Sequence, residues 1–409
     1  MRKQHKPCIR FVRWCIQAKY STLNTPLRKV YQVARLKNPG ILQVLPALNT
    51  GGVERGTCEI AQAIVEKGWR SYVASTGGKL APQLEDAGTL HLTVPTLKSH
   101  ALIFYSAWQL YKIIKKHKID LVHVRSRAPA WACFYAAKWS KVPLVSTFHG
   151  AYGCQNSFKY HYNKVMTWGD KVIAPSQYIA QHIQQIYHVP PSKIDLIYRG
   201  VDLNQFNPAH VSKGQIQSIR EQWQVKPHDR VFLLPGRFTA IKGHEDLIRA
   251  MAPLDQKWKL ILMGSWTGKE RYLAHIQHLI AELKLADKVK IVPASATIQE
   301  AYAAADVVVC PSTKPESFGR TIAEAGAMAR PIVTTNIGGG AEIVVPGKTG
   351  WLIPSQSIKD LREVIDSILS LDQQKLIDMG LSAQKHVEKK FPLSLMQQKT
   401  LAVYEKILH

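Results

Sequence analysis

Short apolar runs alternate with longer amphipathic segments along most of this chain. The runs are rich in Val, Ile and Leu and predict strands buried on both faces, as in parallel sheets, while the longer segments predict helices. The predicted strands are residues 41–45, 71–75, 120–124, 144–147, 172–174, 231–234, 260–263, 289–292, 306–310 and the P-I-V run at 331–333. This alternation indicates an α/β fold in which helices cover both faces of parallel sheets.

The length of the chain indicates two domains. At 409 residues it exceeds what one hydrophobic core usually serves, and 46% apolar with 20% charged residues is typical of a globular protein. No apolar run approaches the roughly 20 residues that span a bilayer. We predict a basic extension at 1–39, a first α/β domain at 40–204, a second at 205–380, and a helical segment at 381–409.

The net charge of +25 is distributed unevenly. Residues 1–200 contain 28 Lys/Arg and 8 Asp/Glu, whereas the remainder contains 26 and 21. Such asymmetry indicates an anionic partner, either nucleic acid or anionic lipid. Because no nucleic-acid motif accompanies the charge, we expect no nucleic-acid partner and favour a membrane surface. The six cysteines form no C-x-x-C pair or metal-ligand spacing and are typical of reduced cytosolic thiols.

Two basic segments are candidates for membrane contact. Apolar residues recur at helical spacing among arginines and aromatics in residues 8–20, which favours an interfacial amphipathic helix; a transit peptide and an unstructured basic tail are the alternatives. In residues 104–118, aromatics accompany Lys112, Lys115, Lys116 and Lys118. Each lysine near an anionic surface contributes about 1 kcal/mol. The alternative there is an ordinary helix that buries Phe104, Trp108, Tyr111 and Ile114 and exposes its lysines to solvent.

The strongest candidate site lies between the last predicted strand and a helix predicted at 321–328. Ser317 and Gly319 let the backbone turn into that helix, whose free N–H groups and positive dipole end then face the carboxyl edge of the sheet. Such a place binds phosphate. Glu316 and Glu324, eight positions apart, flank it and can accept hydrogen bonds from hydroxyl groups. The set suits a sugar or ribose beside a phosphate.

Three further loops follow predicted strands. Gly51 and Gly52 precede a helix predicted from residue 58 and let the backbone approach a phosphate, although a plain turn is an alternative. Arg237 and Lys242 place two cations where they can neutralise a departing diphosphate. His149 ends a strand at the edge where such sheets bind ligands.

These motifs resemble glycosyltransferase family 4, a family of retaining nucleotide-sugar transferases. The resemblance lies in the E-x7-E spacing within P-S-x-x-E-S-F-G and A-E-A-G-A-x-A-R-P-I-V, the G-R-x-x-x-x-K-G pair, the T-x-H-G element, and I-x-x-G-V-D-x-x-x-F-x-P between the domains. It covers roughly residue 41 to the C-terminus. It implies a GT-B fold, in which two Rossmann-like, doubly wound domains face each other across a cleft and the last helix crosses back to the first domain.

The resemblance also implies roles for the candidate residues. The implied catalytic residues are Glu316, His149, Arg237 and Lys242. The implied donor site comprises Gly51, Gly52, Arg237, Lys242, Ser317, Phe318, Gly319 and Glu324. Glu324 would hold the ribose, Glu316 the donor-sugar hydroxyls, and His149 would line the acceptor side. Since no Asp-x-Asp occurs in the chain, we expect no metal and no cofactor. A UDP-sugar is the preferred donor and a GDP-sugar the second choice.

The function implied is a retaining hexosyltransferase on the cytoplasmic face of a membrane. Its acceptor would be a glycolipid or glycan of lipopolysaccharide or envelope polysaccharide synthesis. Two alternatives stay open at this point. A sugar-nucleotide epimerase of GT-B fold would use the same cleft but need no acceptor, and a non-catalytic membrane-binding or nucleic-acid-binding protein would retain the scaffold without the reaction.

Overall fold

The computed structural model describes residues 38–409 apart from residues 50, 100, 154, 155 and 296. The amphipathic segment predicted within residues 8–20 lies outside the described residues. Two lobes follow one another along the described chain, and each is built on its own sheet.

The first lobe contains a seven-stranded parallel sheet with the order β3-β2-β1-β4-β5-β6-β7. Its strands are β1 (Gly40–Val44), β2 (Arg70–Ser75), β3 (Leu90–Thr93), β4 (Leu121–Val124), β5 (Leu144–Thr147), β6 (Lys171–Ala174) and β7 (Ile194–Leu196). Its helices are α1 (Gly52–Glu66), α2 (Ala81–Asp86), α3 (Ile103–His117), α4 (Ala130–Ser140), α5 (Ser157–Lys164) and α6 (Gln177–Tyr187). The strand order reverses between β1 and β4, and such a reversal opens a crevice at the carboxyl ends of the strands.

The second lobe repeats this design with six parallel strands in the order β10-β9-β8-β11-β12-β13. Its strands are β8 (Arg230–Pro235), β9 (Trp258–Met263), β10 (Val289–Val292), β11 (Val307–Cys310), β12 (Ile332–Thr335) and β13 (Gly350–Ile353). Its helices are α7 (Lys213–Gln222), α8 (His244–Met251), α9 (Glu270–Glu282), α10 (Ile298–Ala304), α11 (Arg320–Ala327), α12 (Ile358–Leu369) and α13 (Gln373–Lys390). The reversal here lies between β8 and β11.

Both sheets are buried on both faces, as the apolar runs predict. The valines of β11 are fully buried, and helices pack on each side of the strands. The predicted α/β class and its division into two facing GT-B lobes are confirmed. All the predicted strands are present within two residues of their predicted ends.

The structure corrects the predicted start of the first helix. We expected a glycine loop and a helix from residue 58, but α1 begins at Gly52. Gly56 lies inside α1. A glycine is required at this position because the Arg199 guanidinium occupies the space beside it, where an added Cβ would meet Arg199 Nη1 at 2.3 Å. The third glycine of this stretch, Gly56, therefore reflects close packing of a helix rather than a loop.

Helix α3 buries a different face from the one that regular helical spacing indicated. Its core contacts come from Ala107, Leu110 and Ile114, whereas Phe104 is 64% exposed and Trp108 is 44% exposed. The alternative in which Phe104 and Trp108 belong to the core is therefore wrong. Of the helices in the described part of the chain, none is both long and apolar enough to span a bilayer.

The chain passes between the lobes twice, near Val201 and near Pro392, and the two crossings lie side by side. The Val201 N–H donates to the Phe391 carbonyl at 2.9 Å, and the Leu393 N–H donates to the Val201 carbonyl at 2.8 Å. The first crossing contains Gly200, where an added Cβ would lie 2.4 Å from Leu393 Cα. Only glycine lets the two crossings approach this closely.

After the second crossing, helix α14 (Leu393–Leu408) returns to the first lobe and packs against α1. Tyr404 is fully buried there in a cluster with Ile41 and Ile60. Its hydroxyl lies 2.5 Å from His123 Nδ1. The C-terminal helix therefore belongs to the core of the first lobe, as the family resemblance implied.

We predict that Gly200→Ala destabilises the protein by about 1–3 kcal/mol, because the methyl group forces the two crossings apart. Gly214→Ala is the matched control, since the nearest atom to its added Cβ is Ser212 Oγ at 3.9 Å. Denaturant unfolding measures both. Equal stability of Gly200→Ala and the wild type would contradict the packing described.

Candidate active site

An ion pair lies at the crevice of the second lobe, where Lys242 follows β8 and Glu316 follows β11. Lys242 Nζ donates to Glu316 Oε1 at 2.8 Å, and Ser312 Oγ donates to the same oxygen at 2.6 Å. Burial alone raises the pKa of Glu316, but Lys242, Ser312 and Arg237 together bring that pKa below its usual value. Glu316 is therefore held as a carboxylate beside fixed cations.

Arg237 lies two residues beyond the end of β8 and is exposed. Its positive charge contributes to lowering the pKa of Glu316. The predicted pair of cations, Arg237 and Lys242, is thus brought to one edge of the sheet. One of them is held by a carboxylate, and the other faces solvent.

The loop that leads into α11 is shaped by its main chain. Gly319 precedes the helix with φ 98°, in the left-handed region, where an added Cβ would also meet Ile322 Cδ1 at 2.9 Å. The Gly339 N–H donates to the Glu316 carbonyl at 2.8 Å and holds the loop against its neighbour. The Phe318 ring is 2% exposed and packs against Tyr198 and Phe391. The Phe318 side chain therefore supports the loop from the core and does not face a ligand.

Glu324 lies inside α11 and is 5% exposed. The Tyr302 hydroxyl donates to Glu324 Oε2 at 3.1 Å, and Arg320 Nε lies 3.6 Å from Oε1. Burial raises the pKa of Glu324, and the nearby Arg320 opposes that effect only in part. This carboxyl group therefore lies in a dry environment and is oriented by two side chains.

Arg320 also connects the lobes. Its Nη2 donates to Glu59 Oε1 of α1 at 2.9 Å, and both side chains are less than one-fifth exposed. Burial alone lowers the pKa of Arg320, but Glu59 and Glu324 raise that pKa above its usual value. Sequence analysis did not predict either Arg320 or Glu59 as part of the site. A cation directly after the glycine that begins α11 was the available signal.

A second carboxylate joins the lobes at the start of α6. The Tyr178 N–H donates to Glu342 Oε1 at 2.7 Å, and the Gln177 N–H donates to Oε2 at 2.8 Å. A carboxylate in this position pairs with free N–H groups and with the positive end of the helix dipole. Glu342, which ends the G-G-G-A-E stretch at 338–342, therefore connects the second lobe to the first by two hydrogen bonds.

His149 lies beyond β5 in the first lobe and contacts a buried arginine. Arg199 Nη2 is 3.4 Å from His149 Nδ1, and Arg199 Nη1 donates to the Gly52 carbonyl at 2.7 Å. Because a guanidinium only donates, Nδ1 accepts and the ring proton is assigned to Nε2. That nitrogen is covered and has no hydrogen-bond partner in the structure.

The charge state of His149 follows from its surroundings. Burial, followed by the charges of Arg199 and Arg125, lowers the pKa of His149 well below its usual value. The ring is therefore neutral near pH 7 and offers an N–H donor to a ligand oxygen. Burial also lowers the pKa of Arg199 to about 9. Neither Arg125 nor Arg199 was predicted, although Arg125 comes directly after β4.

The predicted residues thus fall into two groups on facing lobes. The second-lobe group contains Arg237, Lys242, Glu316, Ser317, Phe318, Gly319 and Glu324, and the first-lobe group contains Gly51, Gly52 and His149. They approach each other at Gly52, where an added Cβ would lie 3.8 Å from Arg320 Cδ. The roles given to these residues remain predictions. Within the described residues, no three His, Cys, Asp or Glu side chains are grouped as metal ligands.

Known proteins share both the sequence and the fold. Family models match at residues 50–205 (Glycosyltransferase Family 4) and 215–386 (Glycosyl transferases group 1). A glycosyltransferase from Rickettsia africae ESF-5 is 35% identical with TM-score 0.85, over 91% of this chain and 99% of that one. Spore coat protein SA of Bacillus subtilis (strain 168) is 27% identical over 305 residues, 72% of this chain and 80% of that protein.

A third protein shares the fold at lower identity. Anabaena Alr3699/HepE, solved in complex with UDP-glucose, has TM-score 0.79 and 24% identity over 90% of this chain and 99% of that one. Two doubly wound lobes that face each other across such a cleft define the GT-B fold, and the matching family models and the 35% identical relative are glycosyltransferases. The chain belongs to glycosyltransferase family 4.

We predict a coupling energy of about 1 kcal/mol between Glu59 and Arg320, because neither side chain is well solvated. Unfolding free energies of the wild type, Glu59→Gln, Arg320→Gln and the double variant measure it. The exposed pair Lys359 and Glu363 is the control, with N···O 3.9 Å and an expected coupling below about 0.5 kcal/mol. Additive effects of the two cleft substitutions would contradict a stabilising contact between the lobes.

Proposed function

We propose that the cleft transfers a sugar, with retention, from a nucleoside diphosphate sugar to a glycolipid or glycan at a membrane. Glycosyl transfer itself follows from membership of the family. The observation that carries the donor class is the Lys242 ion pair with Glu316 beside the start of α11. It places a fixed cation, a carboxylate and a helix N-terminus at one crevice.

These groups suit a diphosphate next to a sugar. As the bond between the anomeric carbon and the diphosphate oxygen breaks, negative charge grows on the departing diphosphate. Lys242, Arg237 and the main-chain N–H groups at the start of α11 stabilise that charge. Because these cations belong to the chain, we propose that transfer needs no divalent metal.

The two carboxylates of the second lobe bind hydroxyl groups of the donor. Glu324 holds the ribose, and Glu316 holds donor-sugar hydroxyls near the anomeric carbon. Each carboxylate is already oriented by a hydrogen-bond donor, so little ordering is required when the donor binds. A UDP-sugar is the first donor to test, because a protein of this fold binds UDP-glucose.

His149 acts from the first lobe. Its neutral ring and unpartnered Nε2–H suit a hydrogen bond to a sugar hydroxyl between donor and acceptor. A cationic His149 is disfavoured beside Arg199 and Arg125. We therefore assign His149 a positioning role through hydrogen bonding rather than a role as a charged acid.

The membrane surface is proposed on helices α3 and α4. Phe104, Tyr105 and Trp108 are all between 44% and 64% exposed, and Trp139 of α4 is 44% exposed. Lys112 Nζ lies 3.6 Å from the centre of the Trp108 ring. Exposed aromatics interleaved with lysines match a bilayer interface with anionic headgroups. This supports peripheral binding to a membrane. We propose that the enzyme acts on the cytoplasmic face, in lipopolysaccharide or envelope polysaccharide synthesis.

We predict that Lys242→Ala lowers kcat by about 100-fold at saturating donor, because a charge-assisted contact in a closed cleft contributes ~3 kcal/mol to the transition state. Release of UDP from UDP-glucose, and then from other nucleotide sugars, measures it. Lys359→Ala, at an exposed position of α12, is the control and keeps the wild-type rate. A wild-type kcat in Lys242→Ala would remove Lys242 from the reaction.

We predict that glutamines at Lys112, Lys115, Lys116 and Lys118 reduce binding to vesicles with anionic lipid by at least about tenfold. Flotation measures the bound fraction. The matched control replaces Lys375, Lys385, Lys389 and Lys390 of α13, which removes the same charge from the other lobe. Equal binding of both variants would contradict a surface on α3.

A further inference from the structure

A depression of about 370 Å³ lies at the crevice of the first lobe, between the segment that follows β4 and helix α5. Its lining includes Arg127, Tyr152, Phe158, Tyr162 and Asn163. Arg127 comes three residues after β4, the strand next to the reversal in strand order. Open α/β sheets bind ligands at this position.

Arg127 is a cation held in place by neutral groups. Its Nη1 donates to Asn163 Oδ1 at 3.1 Å, and its guanidinium carbon lies 5.2 Å from the centre of the Tyr152 ring and 5.8 Å from that of Tyr162. Asn163 is buried and is fixed in turn, because its Nδ2 donates to the Gly153 carbonyl at 2.9 Å. Among the described residues, no carboxylate lies within 4.0 Å of Arg127. The depression thus presents an oriented and uncompensated positive charge.

An aromatic surface lies beside this charge. Phe158 is 79% exposed, although it lies in the first turn of a helix whose start is fixed by the Asn156 cap. Its ring is nearly parallel to that of Tyr162, with 6.5 Å between the ring centres. An ordered aromatic face left in water is unfavourable unless a ligand covers it. The C–H face of a pyranose ring is a suitable cover, since it is flat and apolar.

Ring contacts connect the depression to the residue that precedes His149. Tyr152, which lies under Arg127, contacts the ring of Phe148 at a centre-to-centre distance of 5.2 Å. Phe148 directly precedes His149. Arg127 is therefore connected, through the rings of Tyr152 and Phe148, to the histidine that we place between donor and acceptor.

We propose that this depression is the acceptor subsite and that the acceptor is an acidic saccharide. A phosphate or carboxylate of the acceptor pairs with Arg127, and its sugar ring stacks on Phe158. This inference rests on the proposed function and adds the chemical class of the acceptor. The excess of 28 basic over 8 acidic residues in residues 1–200 favours the approach of such a substrate.

The test compares small saccharides that differ in charge. Binding of glucose 6-phosphate, glucuronic acid, methyl glucoside and inorganic phosphate to the full chain is measured by NMR titration. We expect both acidic sugars to bind at least about tenfold more tightly than methyl glucoside, the effect of one ion pair of ~1.4 kcal/mol. Inorganic phosphate binds more weakly than glucose 6-phosphate, because it has no ring to stack.

Two variants separate the two parts of the subsite, and two more serve as controls. Arg127→Gln abolishes the preference for acidic sugars. Phe158→Ser weakens the binding of glucose 6-phosphate but does not change the binding of inorganic phosphate. Lys138→Gln, an exposed cation of α4 outside the depression, is the matched control and changes nothing. Arg127→Lys, which keeps the charge, retains part of the preference and guards against a general loss of structure in Arg127→Gln.

Two results would overturn the proposal. One is equal affinity of methyl glucoside and the acidic sugars for the wild type, or no binding of either acidic sugar up to its solubility limit. The other is an unchanged preference in Arg127→Gln. UDP binding to the wild type and to Arg127→Gln distinguishes this failure from failure of the proposed function. Both proteins bind UDP if only the acceptor subsite is wrong, and neither binds it if the donor site is wrong.

Discussion

The protein depends on keeping several cations close together in a cleft with too few carboxylates to balance them. The cations bordering it are Arg125, Arg199, Arg237, Lys242 and Arg320, and the carboxylates are Glu59, Glu316 and Glu324. Poorly solvated like charges repel each other, so a fold that holds them in place is destabilised until an anion binds. In the proposed function, a diphosphate supplies that anion at the second lobe. On the first lobe, burial together with the charges of Arg199 and Arg125 lowers the pKa of His149 and keeps its ring neutral.

The fold supports this arrangement because it fixes the edges of the two sheets from which the charged side chains extend. Each lobe presents its charges where the strand order reverses, at loops whose main chain is held by hydrogen bonds or close packing. The lobes are joined by paired crossings at Gly200 and by α14, which completes the core of the first lobe. Contacts of Arg320 and Glu342 across the cleft then hold the two edges together.

Sequence pattern was sufficient for the central strands, because strands buried on both faces read as continuous apolar runs. It missed β3, whose end residues are exposed, β7, which has three residues, and β13, which begins at a glycine and has two half-buried residues. It predicted that Glu316, Lys242 and Arg237 lie at one edge, since each follows a strand of the same sheet. It did not reveal Glu59 or Arg199, because their partners lie far away along the chain. Nor did it show that Phe104 and Trp108 are exposed, which depends on how α3 is rotated against the sheet.

The most direct test of this account is an experimental structure of the protein with UDP and no divalent metal. The account predicts that the diphosphate lies between the lobes, within hydrogen-bond distance of Lys242 Nζ, the Arg237 guanidinium and N–H groups at the start of α11. The ribose hydroxyls would then contact Glu324. A nucleotide bound outside the cleft, or a diphosphate that contacts none of these groups, would contradict it.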